Sequence, residues 1–382
     1  MAKTHSVKRG MPSLDDVAEQ AGVSKSTVSR ILNNRLGNGF SVKEEVRQRV
    51  IEVARKMNYR PNLIAKSLTM HSTQMIHIFG GSHALSDLGN IYQTVVNNIA
   101  QVVDAVSDGY DVTVDMSRHA PDESEMPAWR IDGAIILAQC TRPTMQEIVQ
   151  MGIPYVIVNG RCPQEGCSVT PDDIGGTRLA VEHLIELGHT RIAYSGPLPP
   201  YSTQTSAQPP IRVAHDDCGL EADVLVSHSS LQDRYAAYVE TMERCGLEPI
   251  VSAHDKTGSA EAYLKRKVFE RGVTAILAYG HMGGLHLLQA AHTLGVSVPE
   301  QLSLICFCDE YANRVMSPGL TFIDLNAAAM GRIAAELLLE QIRNSGAGSR
   351  HIVLPEKLVI RKTTAHPNGA SVTARSGRER SY

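Results

Sequence analysis

The chain has 382 residues, 43% of them hydrophobic, which is enough apolar material for two or three packed domains. No apolar run reaches membrane-spanning length, and the opening MAKTHSVKRGMPS lacks the apolar core of a secretion signal, so a cytoplasmic protein with no membrane contact is expected. The net charge of −3 hides an asymmetry: residues 1–70 carry 13 Lys/Arg against 6 Asp/Glu, or +7, and the remainder carries −10. Local positive charge is what phosphate neutralisation requires, although a solvated basic tail has the same composition. The seven cysteines form no CxxC pair, which argues against a disulfide scaffold or a structural zinc site.

In chain order, residues 1–12 read as a basic arm and 13–60 as a small helical domain. Ser13 is a good N-cap, with Asp16 at capping-box distance. Leu14, Val17, Ala18 and Ala21 fall on one face of a short helix that Gly22 stops. Ser24 caps a second helix with Val28, Ile31 and Leu32 inward and Lys25, Ser26, Ser29 and Arg30 outward. A third helix is expected from a Ser41 cap, with Val46, Val50, Val53 and Met57 inward. Two short helices joined by a glycine turn, the second polar on its outer face, form a helix-turn-helix, which places a helix in the major groove of DNA. An ordinary three-helix bundle would share the periodicity; exposed Lys25, Ser26 and Arg30 favour the DNA-binding reading.

Residues 18–33, AEQAGVSKSTVSRILN, and 58–68, NYRPNLIAKSL, resemble the helix-turn-helix and hinge of the lactose/galactose repressor family. The longer loop at 35–40 departs from it. The resemblance implies that Lys25, Ser26 and Arg30 read bases, with Arg30 suited to guanine, that Thr27, Ser29 and Asn33 make phosphate and positioning contacts, and that Asn62 in the hinge also binds DNA. It also implies a hinge helix and linker over 61–73, whose Leu68 wedges into a minor-groove base step. The partner is then double-stranded, pseudo-palindromic operator DNA, bound by a homodimer.

From residue 74 to 364 short apolar runs alternate with amphipathic stretches. Strands are expected at 76–79, 112–114, 134–137, 155–158, 192–194, 275–278 and 304–307, and helices at 90–106, 175–186, 234–245, 284–294 and 327–343. This alternation specifies α/β lobes with parallel sheets covered on both faces. DDIGGTRLAVEHLIELGHTRIA (172–193), VPEQLS (298–303), SPGLT (317–321) and MGRIAAELLL (330–339) resemble the sensor part of the same family. They imply two periplasmic-binding-protein-like lobes with an effector cleft between them. The segment 115–131 looks too short for the family's helix there, 198–231 is longer than usual, and 365–382 reads as a disordered tail.

By resemblance, Arg234 in RYAAY (234–238) and Asn159 after the 155–158 strand are effector-binding positions. Cys308 replaces a carboxylate, His281 lies in an altered Tyr279-Gly280-His281 turn, and Lys256 stands where relatives place an aromatic ring. These changes add positive charge and remove hydroxyl acceptors, so an anionic sugar derivative is the expected effector, against a neutral sugar with Lys256 and His281 uninvolved. The function implied is a repressor of carbohydrate or sugar-acid genes, without cofactor, metal or catalytic residue. The alternatives are a regulator controlled by a partner protein or by no effector, and a cysteine-dependent enzyme built on Cys308, His281 and Asp309.

Overall fold

The computed structural model describes residues 12–32, 42–59, 72–85, 91–106, 109–117, 119–120, 122–138, 140–160, 166–196, 229–252, 259–307, 317–344 and 346–367. The chain divides into two compact units, Met1–Thr73 and Gln74–Tyr382. Asn33, Asn62, Leu68, Lys256 and Cys308 lie outside the described residues. The third helix begins at Glu44 with Lys43 as its N-cap, so the expected Ser41 cap does not open it.

The first unit holds α1 (Leu14–Ala21), α2 (Lys25–Leu32) and α3 (Glu44–Lys56). The capping box is formed: the Asp16 N–H donates to the Ser13 hydroxyl at 3.2 Å, and the Ser13 N–H donates to the Asp16 carboxylate at 2.7 Å. That satisfies two donors which a helix start leaves without partners. Gly22 ends α1 in the left-handed conformation at φ 64°, and the Ser24 hydroxyl accepts the Thr27 N–H to open α2. Val17, Ala18, Ala21, Val28, Ile31, Val50 and Ala54 are the buried centre of this small core.

The second unit contains two lobes. In the first, β1 (Met75–Phe79), β2 (Asp111–Val114), β3 (Gly133–Leu137), β4 (Tyr155–Val158), β5 (Cys167–Pro171) and β11 (His351–Leu354) form a parallel sheet in the order β11-β5-β4-β3-β1-β2. The second lobe uses β6 (Ile192–Ser195), β7 (Ile250–Ser252), β8 (Ala275–Ala278), β9 (Ser303–Phe307), β10 (Thr321–Asp324) and β12 (Lys357–Val359). Its order is β12-β10-β9-β8-β6-β7, with β12 alone antiparallel. Both sheets thus repeat the doubly wound order 2-1-3-4-5, which places ligands outside the carboxyl ends of the strands.

The helices are α4 (Gly81–Ala84), α5 (Ile91–Ala105), α6 (Arg142–Gln150), α7 (Asp173–Glu186), α8 (Ser230–Arg244), α9 (Ala260–Leu264, continued by a π-helical turn Lys265–Glu270), α10 (His281–Leu294) and α11 (Ala327–Arg343). Although α11 follows β10 of the second lobe, it packs on α5 and on β3, β4 and β5 of the first. Gly331 permits the approach to α5, because a Cβ there would collide with the Val95 carbonyl. Buried residues of both lobes, from Ile76 and Val158 to Tyr194, Leu277 and Phe307, join in one apolar cluster. No helix is assigned among the described residues of 115–131; Thr141 and Thr144 at the start of α6 hydrogen-bond Glu123 and Glu125 there instead.

Candidate functional site: a DNA-reading helix and an interlobe polar cluster

Lys25, Ser26 and Arg30 are exposed on α2, while Thr27 and Ser29 are half-buried beside Val28. Ser26 and Thr27 share the Ser24 hydroxyl at 2.8 Å each. Lys25 Nζ donates to the Asp15 carboxylate of α1 at 2.8 Å, with both side chains more than half exposed. An ion pair so solvated contributes little and releases its lysine easily to a phosphate or base. The second helix therefore carries a polar and cationic outer face on a rigid apolar seam.

In the second unit the site grows from the ends of strands. Directly after β4 comes Asn159, which is buried and holds φ at 60°. Asparagine tolerates this left-handed conformation better than other non-glycine residues. Its Nδ2 donates to the Tyr92 hydroxyl of α5 at 2.8 Å, and its Oδ1 accepts the Ser230 hydroxyl of α8 at 3.2 Å. Burial pushes the Tyr92 hydroxyl's pKa up, so it stays protonated. The Ser230 bond joins the carboxyl edge of the first lobe to the first turn of a helix in the second.

One turn further along α8, Arg234 is 4% exposed. Its Nε donates to the Asp173 carboxylate at 2.5 Å and its Nη1 to the Tyr279 carbonyl at 2.7 Å. The guanidinium lies 3.9 Å from the Phe307 ring centroid and 4.9 Å from that of Tyr279. Burial opposes its charge, but the Asp173 carboxylate more than offsets this and raises its pKa. Tyr279 follows β8, and burial pushes its hydroxyl up to about 12. His281, half-buried, opens α10 two residues later.

Arg234 and Asn159 are thus brought into one neighbourhood through Ser230, and His281 stands near it in sequence beside Tyr279. Sequence reasoning missed Tyr92, Asp173 and Ser230, and also Glu356, whose charge acts on Arg234. A buried arginine demands a counter-ion, so the paired acids Asp172 and Asp173 at the start of α7 were the available signal. Tyr92 and Glu356 sit in stretches without a distinguishing pattern. Cys306, two residues before Cys308, is buried in β9, and among the described residues no group of three or more His, Cys, Asp or Glu is placed to hold a metal.

Comparisons with known proteins agree with both halves. Residues 13–62 match the family model for bacterial regulatory proteins of the lacI family, and residues 181–364 match the periplasmic binding protein-like domain. The chain is 29% identical over 374 residues to the HTH-type transcriptional regulator MalR of Streptomyces coelicolor, spanning 93% of this chain and 97% of the relative. Among solved structures it is similar in fold to the lac repressor dimer bound to operator and the anti-inducer ONPF, with TM-score 0.69 and 23% identity over 93% of this chain and 100% of that one. A CelR–cellobiose complex matches with TM-score 0.58 and 23% identity over 92% and 99% of the two chains. A helix-turn-helix unit followed by two doubly wound lobes, matched along nearly its whole length, makes this chain a member of the lacI family of bacterial regulatory proteins.

Proposed function

We propose that the protein is a transcriptional repressor that binds operator DNA as a homodimer in the cytoplasm and is controlled by a sugar-class effector received between its lobes. The observation that carries this reading is the bond from Ser230 to Asn159, beside the Arg234–Asp173 pair, at the carboxyl ends of both sheets. A ligand with several hydroxyl groups can exchange its own donors and acceptors for those of Arg234, Asp173, Asn159 and Ser230. Such an exchange would draw the lobes together and alter the spacing of two heads in a dimer. The relatives support the class: one solved neighbour is a cellobiose complex, and a relative in Halalkalibacterium halodurans is named a ribose operon repressor. The role is binding without chemistry.

An anionic sugar derivative is the second reading, favoured by His281 at the amino end of α10, where the helix dipole also attracts negative charge. Against it, the Arg234 charge is already matched by Asp173, which leaves the neutral polyhydroxyl ligand as the better fit to the described residues. Calorimetry of the full chain against matched neutral sugar, sugar-acid and sugar-phosphate sets separates the two. Heat from the neutral member alone supports the first reading, and heat from only the charged members supports the second. No response to any of them, with operator binding intact, would leave a repressor controlled by a partner protein or by nothing.

A further inference from the structure

Three chain crossings join the lobes: from β5 into α7 at 171–173, from β10 into α11 at 324–327, and from β11 into β12 at 354–357. Each brings carboxyl groups with it: Asp172 and Asp173 on the first, Asp324 on the second and Glu356 on the third. Asp172 accepts the Gly175 N–H and Asp324 accepts the Asn326 N–H, so both have backbone partners. Asp173 is bound to Arg234.

Glu356 differs from these three. It is 6% exposed, and among the described residues neither of its carboxyl oxygens has a hydrogen-bond partner. Its carboxyl lies against Gly176 in the first turn of α7, where a Cβ would collide with it and with Ile323 of β10. The third crossing thus presses an acid against the other two. The charged groups facing it are Arg234 from α8, Asp173 and Asp172 from the start of α7, and Asp324 from β10. Three carboxylates outnumber one guanidinium that is already paired.

We propose that Glu356 is a proton-operated latch on the hinge: with its proton it lets the three crossings pack together, and when it ionises it drives them apart, so that opening of the lobes is linked to release of a proton to solvent. Desolvation and the neighbouring carboxylates, opposed by Arg234, push its pKa up to about 8 from the ordinary 4.5. The packed hinge therefore favours the protonated form. Its stability is complete below the ordinary value and is lost as pH rises through the raised one. Coupling of this kind is reciprocal, so anything that closes the lobes raises the proton affinity of Glu356.

The test uses the full-length protein, as wild type and Glu356→Gln, by small-angle X-ray scattering and thermal unfolding from about pH 6 to about pH 9.5. The glutamine variant keeps the shape and cannot ionise. The wild type should expand and lose melting temperature through about pH 8, while the variant stays compact over the same window. Superimposable scattering and melting profiles overturn the proposal. If the variant does not fold, infrared spectroscopy of the wild type decides. A protonated carboxylic-acid band that fades near pH 8 together with the expansion supports the latch, and absence of that band at neutral pH refutes it.

Discussion

Arg234 shows how one buried charge fixes several neighbours. Its guanidinium is stacked on Phe307 and bound to Asp173 and the Tyr279 carbonyl, all inside the second unit. Removing one partner of such a pair strands the other in a low-dielectric site. Arg234→Ala and Asp173→Ala should each therefore cost about 3–5 kcal/mol in urea unfolding of the full chain. The double change Arg234→Met with Asp173→Leu should recover much of that loss, because neither charge is then left uncompensated. Single variants that unfold like the wild type would mean that the pair does not hold these neighbours together. Resemblance singles out Arg234 and Asn159 in the sequence, but it could not show that the arginine's charge is matched internally. That fact depends on which acid the fold brings up from 61 residues away. Lys256 and Cys308, on which the anionic expectation also leaned, lie outside the described residues.

At the scale of elements, the apolar rhythm marks β1 to β4, β6, β8 and β9 but not β5, β7, β10, β11 or β12, and it starts three helices late. Periodicity begins them at 175, 234 and 284, whereas α7, α8 and α10 begin at Asp173, Ser230 and His281. Those first turns carry the polar residues of the site, and polarity at a helix start removes the periodicity that announces the helix. Contacts at the opposite end of the second sheet are equally invisible to periodicity. His189, before β6, bonds Thr274 Oγ1 at 2.8 Å, Ser303 Oγ at 3.0 Å and the Ala365 carbonyl at 2.9 Å, tying the starts of β8 and β9 to the end of the described chain. Burial, only partly countered by the Ala365 bond, lowers its pKa below 6.5. Its contribution to stability is therefore present above 6.5 and is lost as pH falls through the lowered value. His189→Gln should flatten the acid side of the melting-temperature profile and leave the alkaline side unchanged; a loss equal at all pH values would assign His189 a packing role only. Helix contact has its own test. Gly331→Val should cost about 1–3 kcal/mol in urea unfolding by forcing α5 away from α11, and an unchanged midpoint would show that the two helices have room to spare.

For the whole molecule, the division of charge predicts how the two units share the work. The first 70 residues carry +7 and the rest −10, so attraction to DNA belongs to the head and falls steeply with salt. One short helix reads few bases, and a dimer that doubles the reading requires a pseudo-palindromic site. Selection from a random duplex library should accordingly enrich two inverted half-sites, and a single half-site should bind far more weakly. Within that frame Arg30 and Lys25 differ in kind. Arg30 stands exposed in the last turn of α2, and a bidentate contact to guanine would make Arg30→Ala cost about 1–3 kcal/mol at one half-site position. The preference at that position should relax while the salt dependence shifts only slightly. Lys25 is held loosely by Asp15, so Asp15→Ala should strengthen binding modestly on every sequence by leaving the lysine free for the nucleic acid. Gel-shift titrations of the full chain on the selected site and on its single-base variants distinguish these outcomes. If Arg30→Ala weakens all sequences equally, the arginine contacts phosphate, and specificity at that position comes from another residue of the head.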